Sequence, residues 1–285
     1  MKLFLLSFAL LNLIVISSSC SKDDVATGGG GAVINYDVAY GSDSKQKLDV
    51  HLPAVRSYDT TKVLIMIHGG AWSEGDKTDF AAYIDTLKRR LPNYAIFNIN
   101  YRLVSTSGNL FPTQENDVKA AVDFIVSKRA EYNISDKMVL LGASAGGHLA
   151  LLQGYKNSTI KPKAIVNFFG PSDMVDMYNN PASVFVPASA IASLFGGTPA
   201  SKADLYFSSS PINYVAAQRP ATITLQGGVD PLVRPAQQTA LQTKLNNAGV
   251  TNEYVFYPTE SHGWVGANLV NSFDRIQLFL KANVQ

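Results

Sequence analysis

The chain has 285 residues, 46% of them hydrophobic and 10% aromatic, enough to bury a full core in one or two domains. A formal net charge of +2 supplies neither a basic face for nucleic acid nor an acidic block that would keep the chain unfolded. The single cysteine, Cys20, excludes an intramolecular disulfide and a cysteine-built metal site.

Met1 and Lys2 precede an almost unbroken apolar run over residues 3–16. That is the pattern of a secretory signal, too short for a comfortable membrane span. Ser17, Ser18 and Ser19 then lead into Cys20, which resembles the lipobox of bacterial lipoproteins, with Ser17 where such signals usually carry a large aliphatic residue. The resemblance implies a signal peptide over 1–19, lipidation of Cys20, and a membrane-anchored chain exported to the cell envelope, periplasmic or on the outer-membrane surface. Residues 20–32 are polar and end in the glycine run 28–31, so they read as a flexible tether. The folded domain is expected over 33–285.

Residues 36–40 and 47–52 alternate in side-chain character around Gly41-Ser42-Asp43-Ser44, which predicts an antiparallel hairpin. The aliphatic run 63–67 predicts a strand buried on both faces. Phe80, Tyr83, Ile84, Leu87 and Leu91 recur at helical spacing, predicting a helix over 78–91 closed by Pro92. A strand at 95–100, a helix over 116–131, a strand at 138–141, a helix over 145–155 and a strand at 164–169 come next. Residues 171–213 break this rhythm with prolines, asparagines and serines, and read as a cap insertion over one end of the sheet. Strand 222–226, helix 234–248, strand 253–257 and helix 266–282 close the chain. The alternation predicts an α/β fold: an eight-stranded, mostly parallel sheet flanked by helices.

Two motifs carry chemistry. Gly142-Ala143-Ser144-Ala145-Gly146 fits Gly-x-Ser-x-Gly between a predicted strand and a predicted helix, the setting of a sharp turn that lifts a nucleophilic serine. His68-Gly69-Gly70-Ala71-Trp72 comes directly after the strand 63–67. Backbone N–H groups in such a bare loop can approach a tetrahedral oxyanion, with the N–H of Ala145 as the partner from the serine turn. Only four histidines exist, His51, His68, His148 and His262. His51 lies in a hairpin strand and suits a surface or edge role, His68 suits bracing of the glycine loop, and His148 suits packing one helical turn past Ser144. His262 sits in a loop beyond a strand end that can reach the serine, as a general base must. For the acid that orients it, Asp230 in Gly228-Val229-Asp230-Pro231 leads, and Asp173 at the end of another strand is the rival.

These stretches, with Lys47-Leu48-Asp49-Val50, Asn100-Tyr101-Arg102-Leu103, Ser210-Pro211 and Ser261-His262-Gly263, resemble the α/β-hydrolase superfamily over residues 35–283. Within it they resemble the esterase branch of hormone-sensitive lipases, feruloyl and acetyl esterases and kynurenine formamidases. The resemblance implies the order Ser144, Asp230, His262 for the triad and Gly69, Gly70 and Ala145 for the oxyanion hole. Ala71 replaces a glycine that many relatives carry, so which two amides meet the oxyanion stays open. The implied activity is cleavage of carboxylic esters, short-chain acyl, acetyl or feruloyl, possibly on carbohydrate, through an acyl-enzyme. An aryl formamidase, a peptidase of the same fold and a non-catalytic surface module are the alternatives. No zinc-ligand spacing, phosphate-binding loop or dinucleotide fingerprint is present, so no metal or cofactor is expected.

Overall fold

A computed structural model describes residues 31–106, 108–157 and 161–285. The signal peptide, Cys20 and all of the tether before Gly31 therefore lie outside the described residues. Eight strands form one sheet: β1 (Val33–Ala39), β2 (Lys47–Leu52), β3 (Lys62–Ile67), β4 (Tyr94–Ile99), β5 (Met138–Ala143), β6 (Ala164–Phe168), β7 (Ala221–Gly227) and β8 (Asn252–Tyr257). Their order is β1-β2-β4-β3-β5-β6-β7-β8, antiparallel for the β1/β2 and β2/β4 pairs and parallel from β4 onward. The predicted hairpin and the predicted parallel sheet are both present.

The helices are α1 (Ala81–Arg90), α2 (Thr113–Ser127), α3 (Arg129–Tyr132), α4 (Ala145–Tyr155), α5 (Met174–Asn179), α6 (Ala188–Phe195), α7 (Ala203–Ser208), α8 (Pro235–Asn247) and α9 (Gly266–Asn283). The strand residues explain how they are layered. Val63, Ile65 and Ile67 of β3 join one apolar cluster with residues of α2, α4 and α8, while Leu64 and Met66 join another with residues of α1 and α9. An uninterrupted aliphatic run is what a strand covered on both faces requires. Each such side chain contributes about 1.5–3 kcal/mol through burial.

Three expectations change. The helix expected over 78–91 begins as a 3-10 turn at Lys77–Phe80, because Asp76 caps it by accepting from the Thr78 N–H while Asp79 accepts from the Asp76 N–H, and α1 continues from there. The helix expected over 116–131 starts at Thr113, just after Pro112, and gives way to the separate turn α3. His51 is not at the surface: β2 lies between β1 and β4, and its histidine is buried. Residues 171–213 hold three short helices, α5 to α7, and a 3-10 turn at Pro211–Tyr214.

Candidate active site

All the parallel strands end on the same side of the sheet, and the site is built from the loops after β3, β5, β7 and β8. At the end of β5 the chain turns so sharply that Ser144 takes φ 54° and ψ −122° before α4 begins at Ala145. A non-glycine residue there costs on the order of 1–3 kcal/mol. Two backbone bonds hold it: the Ser144 N–H donates to the Phe168 carbonyl at 2.8 Å, and the His148 N–H to the Ser144 carbonyl at 3.0 Å. The flanking glycines are needed for close approach. A Cβ on Gly146 would collide with the Ile67 carbonyl, and one on Gly142 with the carbonyl of Gly146. This crossing presses the start of α4 against the end of β3, bringing the loop after β3 beside the serine.

That loop is held by side chains. Gly70 takes φ 101°, and its carbonyl accepts from the Ser73 and Glu74 N–H groups at 3.0 and 2.8 Å. The Tyr101 hydroxyl donates to the carbonyls of His68 and Gly69, and the Tyr101 and His68 rings stack at 4.3 Å. His68 Nδ1 faces the Gly69 carbonyl at 2.8 Å and so must carry its proton. His68 thus braces the loop, as expected. Gly69 lies against the serine turn, since a Cβ there would come within 3.3 Å of the Ser144 Cβ. Among the described residues the N–H groups of Gly70 and Ala71 donate to no backbone acceptor. The N–H of Ala145, in the first turn of α4, has no partner within the helix.

His148 also takes the packing role expected of it. It is fully buried, accepts at Nδ1 from the Trp72 indole at 3.2 Å, and donates from Nε2 to the Ser209 carbonyl at 2.7 Å. Burial pushes its pKa down to about 4, so the ring is neutral with a fixed tautomer and ties the glycine loop to the 171–213 segment.

His262 and Asp230 meet. His262 Nδ1 lies 2.8 Å from Asp230 Oδ2, whose side chain is 0% exposed. The carboxylate also accepts from the Gln226 amide at Oδ2 and from the Leu232 and Val233 N–H groups at Oδ1. Burial works to raise its pKa, but the His262 contact and the two backbone donors outweigh burial and hold it below the usual carboxylate range. An ionised Asp230 requires the proton on Nδ1, leaving a lone pair on His262 Nε2, which has no hydrogen-bond partner among the described residues. Ser144 and His262 line one cavity of about 590 Å³ with Gly69, Gly70 and Ala71. Its remaining walls are mostly apolar and include Met177, Val186, Ile191 and Leu194 from the 171–213 segment.

Asp173 has a different task. Its Oδ1 accepts from the Val175 and Asp176 N–H groups, which makes it the N-cap of α5. Two residues at the site escape a reading of the sequence. Gln226 is a buried amide near the end of an apolar strand, a visible oddity whose target is not visible. Phe169, placed in a strand by pattern, instead lies just past β6 with φ 42°, and its ring packs 4.4 Å from that of His262.

A serine on a strand-to-helix turn after β5, an acid after β7 and a histidine after β8 of such a sheet define an α/β-hydrolase. Within that class the chain belongs to the BD-FAE family, whose model matches residues 48–245. It is similar to esterase LipQ of Mycobacterium tuberculosis, 27% identical over an alignment of 253 positions that covers 83% of this chain and 58% of LipQ. The chain therefore spans little more than half the length of that relative. Among solved structures it is similar to a bifunctional GH43-CE protein of Bacteroides eggerthii, with TM-score 0.74 and 28% identity over 88% of this chain and 38% of the other. It is also similar to a truncated carbohydrate esterase from gut microbiota, with TM-score 0.75 and 25% identity over 90% of this chain and 98% of that one.

Proposed function

We propose that the chain hydrolyses carboxylic esters through an acyl-serine intermediate. Ser144 is the nucleophile, His262 takes its proton and returns it to the leaving alcohol, and Asp230 holds the imidazole in the productive tautomer. The N–H of Ala145 and the amides of the Gly69–Gly70 loop stabilise the oxyanion. The observation that carries this reading is the Nδ1–Oδ2 contact of 2.8 Å, which leaves the other ring nitrogen of His262 unpartnered beside the cavity that Ser144 lines. A mostly apolar cavity suits an acyl group better than a charged substrate. Short-chain acyl, acetyl or feruloyl esters on carbohydrate are the substrate class we favour, in keeping with the likeness to a carbohydrate esterase. The test is rapid-mixing hydrolysis of p-nitrophenyl acetate. A burst of nitrophenol close to one equivalent per chain is expected if an acyl-enzyme accumulates, and a chain with no turnover of acetyl, feruloyl or butyryl esters would refute the proposal.

We further propose that the enzyme belongs to the cell envelope, anchored by lipid on Cys20, a reading supported by the apolar run 3–16 and the serines before Cys20. A single acyl chain gives only marginal membrane binding, and two or more hold firmly. The terminal peptide of the native protein is expected to begin at Cys20 and carry two or three acyl chains by mass spectrometry. An unmodified terminus near Ser17 to Ser19 would mean simple secretion.

A further inference from the structure

A second cavity, of about 220 Å³, lies against the same reacting centre. It shares Gly69, Ala143 and Phe169 with the main cavity, and Gly263, next to His262, also lines it. Two of its lining residues, Ala143 and Gly263, therefore flank Ser144 and His262 in the chain. The rest of its wall comes from the face of the sheet covered by α1 and α9, opposite the face on which α2, α4 and α8 pack. Phe80, Tyr83, Phe168, Trp264, Leu269 and Phe273 line it. Their mutual contacts form a preassembled wall: Tyr83 and Phe273 rings are 5.9 Å apart, and Trp264 stands edge-on to Phe169 at 5.5 Å. The Trp264 indole N–H is already taken by the Ser272 hydroxyl at 2.8 Å, and Asp79, the one carboxylate in the lining, accepts at Oδ2 from the Asp76 N–H at 3.1 Å, so the rest of the wall offers mainly ring surface.

Phe169 lines both cavities. Its φ of 42° turns it out of line with β6, and the turn is held by its N–H donating to the Leu225 carbonyl at 2.9 Å. Strained backbone of this kind persists where surrounding structure enforces it, and it is concentrated at functional sites.

We propose that the second cavity is a substrate subsite for a flat apolar ring, so that an ester at Ser144 holds its two substituents on opposite sides of Phe169. This rests on the ester-hydrolase reading and adds to it where one substituent goes and what shape it has. The size agrees, because a dry apolar cavity of about 150 Å³ is enough to hold benzene. Aromatic walls favour a ring with centroid separations of about 4.5–7 Å, in edge-to-face or offset stacking. The ring can belong to the acid or to the alcohol, and three esters tell these apart: ethyl acetate with no ring, ethyl phenylacetate with the ring on the acid, and benzyl acetate with it on the alcohol.

The full chain and its Leu269→Trp variant, which fills the cavity, are compared on all three esters. Relative to ethyl acetate on the same protein, kcat/KM for one of the two ring esters is expected to fall by about 10-fold or more, mainly through KM, since a pocket contact of this kind discriminates by about 10–200-fold. The ester that responds identifies which substituent enters the cavity. Tyr83→Ala, which enlarges the cavity, is expected to raise the same ratio for the naphthyl analogue of that ester, and it decides the matter should Leu269→Trp fail to fold. Ratios that stay within twofold in both directions would overturn the subsite while leaving the hydrolase intact. Failure to cleave ethyl acetate would instead strike at the hydrolase reading.

Discussion

Replacing Ser144 by Ala is expected to cut hydrolysis of p-nitrophenyl acetate by about a millionfold while leaving the fold intact. The size of the effect comes from the role proposed for the hydroxyl: without it no acyl-enzyme forms, and only oxyanion stabilisation and binding remain. The fold should survive for a specific reason. Ser144 already carries a Cβ at φ 54°, so alanine adds no strain, and the two bonds that fix the turn are made by backbone atoms. Circular dichroism and urea unfolding check the second half of the expectation, and turnover the first. Activity within tenfold of the parent in a folded variant would remove Ser144 from the mechanism.

Asp230→Asn is expected to lower kcat by about ten thousandfold. The amide keeps the size of the carboxylate but not its four acceptances. If its oxygen stays with the Leu232 and Val233 N–H groups, its NH₂ meets two donors, the Gln226 amide and His262 Nδ1. The imidazole then moves its proton to Nε2, the nitrogen that has to receive the serine proton. Asp173→Asn is the control. Asparagine caps a helix as well as aspartate, so stability and turnover should both stay near those of the parent. A crippled Asp173→Asn beside a near-normal Asp230→Asn would transfer the acid role.

The depressed pKa of Asp230 gives these expectations a pH dependence. A carboxyl group lowered on folding contributes stability above its unfolded value and loses that contribution as pH falls through its folded value. The stability gap between the parent and Asp230→Asn, read by urea unfolding, should therefore be widest near neutrality and narrow below about pH 4. Because Asp230 stays ionised well below neutrality, its own protonation is not expected to lower activity on mild acidification.

Much of this is legible in the sequence. The doubly covered strands show as uninterrupted aliphatic runs, and the serine turn shows as glycines that the structure uses for backbone contact with Ile67 and within the turn. His262 can be singled out because the chain has only four histidines and one lies in the right loop. The acid is harder, since an aspartate opening a turn looks the same whether it hydrogen-bonds a histidine, as Asp230 does, or caps a helix, as Asp173 does. The start of the helix near residue 78 is obscured because Asp76 caps a 3-10 turn that continues into α1. The arrangement of 171–213 is illegible because α5 to α7 are 6, 8 and 6 residues long, too short to display a period. Phe169 looks like one more strand residue, because a left-handed φ leaves no trace in composition.

The most direct test of the central claim is active-site labelling with a p-nitrophenyl phosphonate ester, read by peptide mass spectrometry. Release of about one equivalent of nitrophenol per chain is expected. A single phosphonyl adduct should sit on Ser144, with labelling abolished in Ser144→Ala and strongly slowed in Asp230→Asn. An adduct on another residue, or equal labelling of the parent and Ser144→Ala, would contradict it.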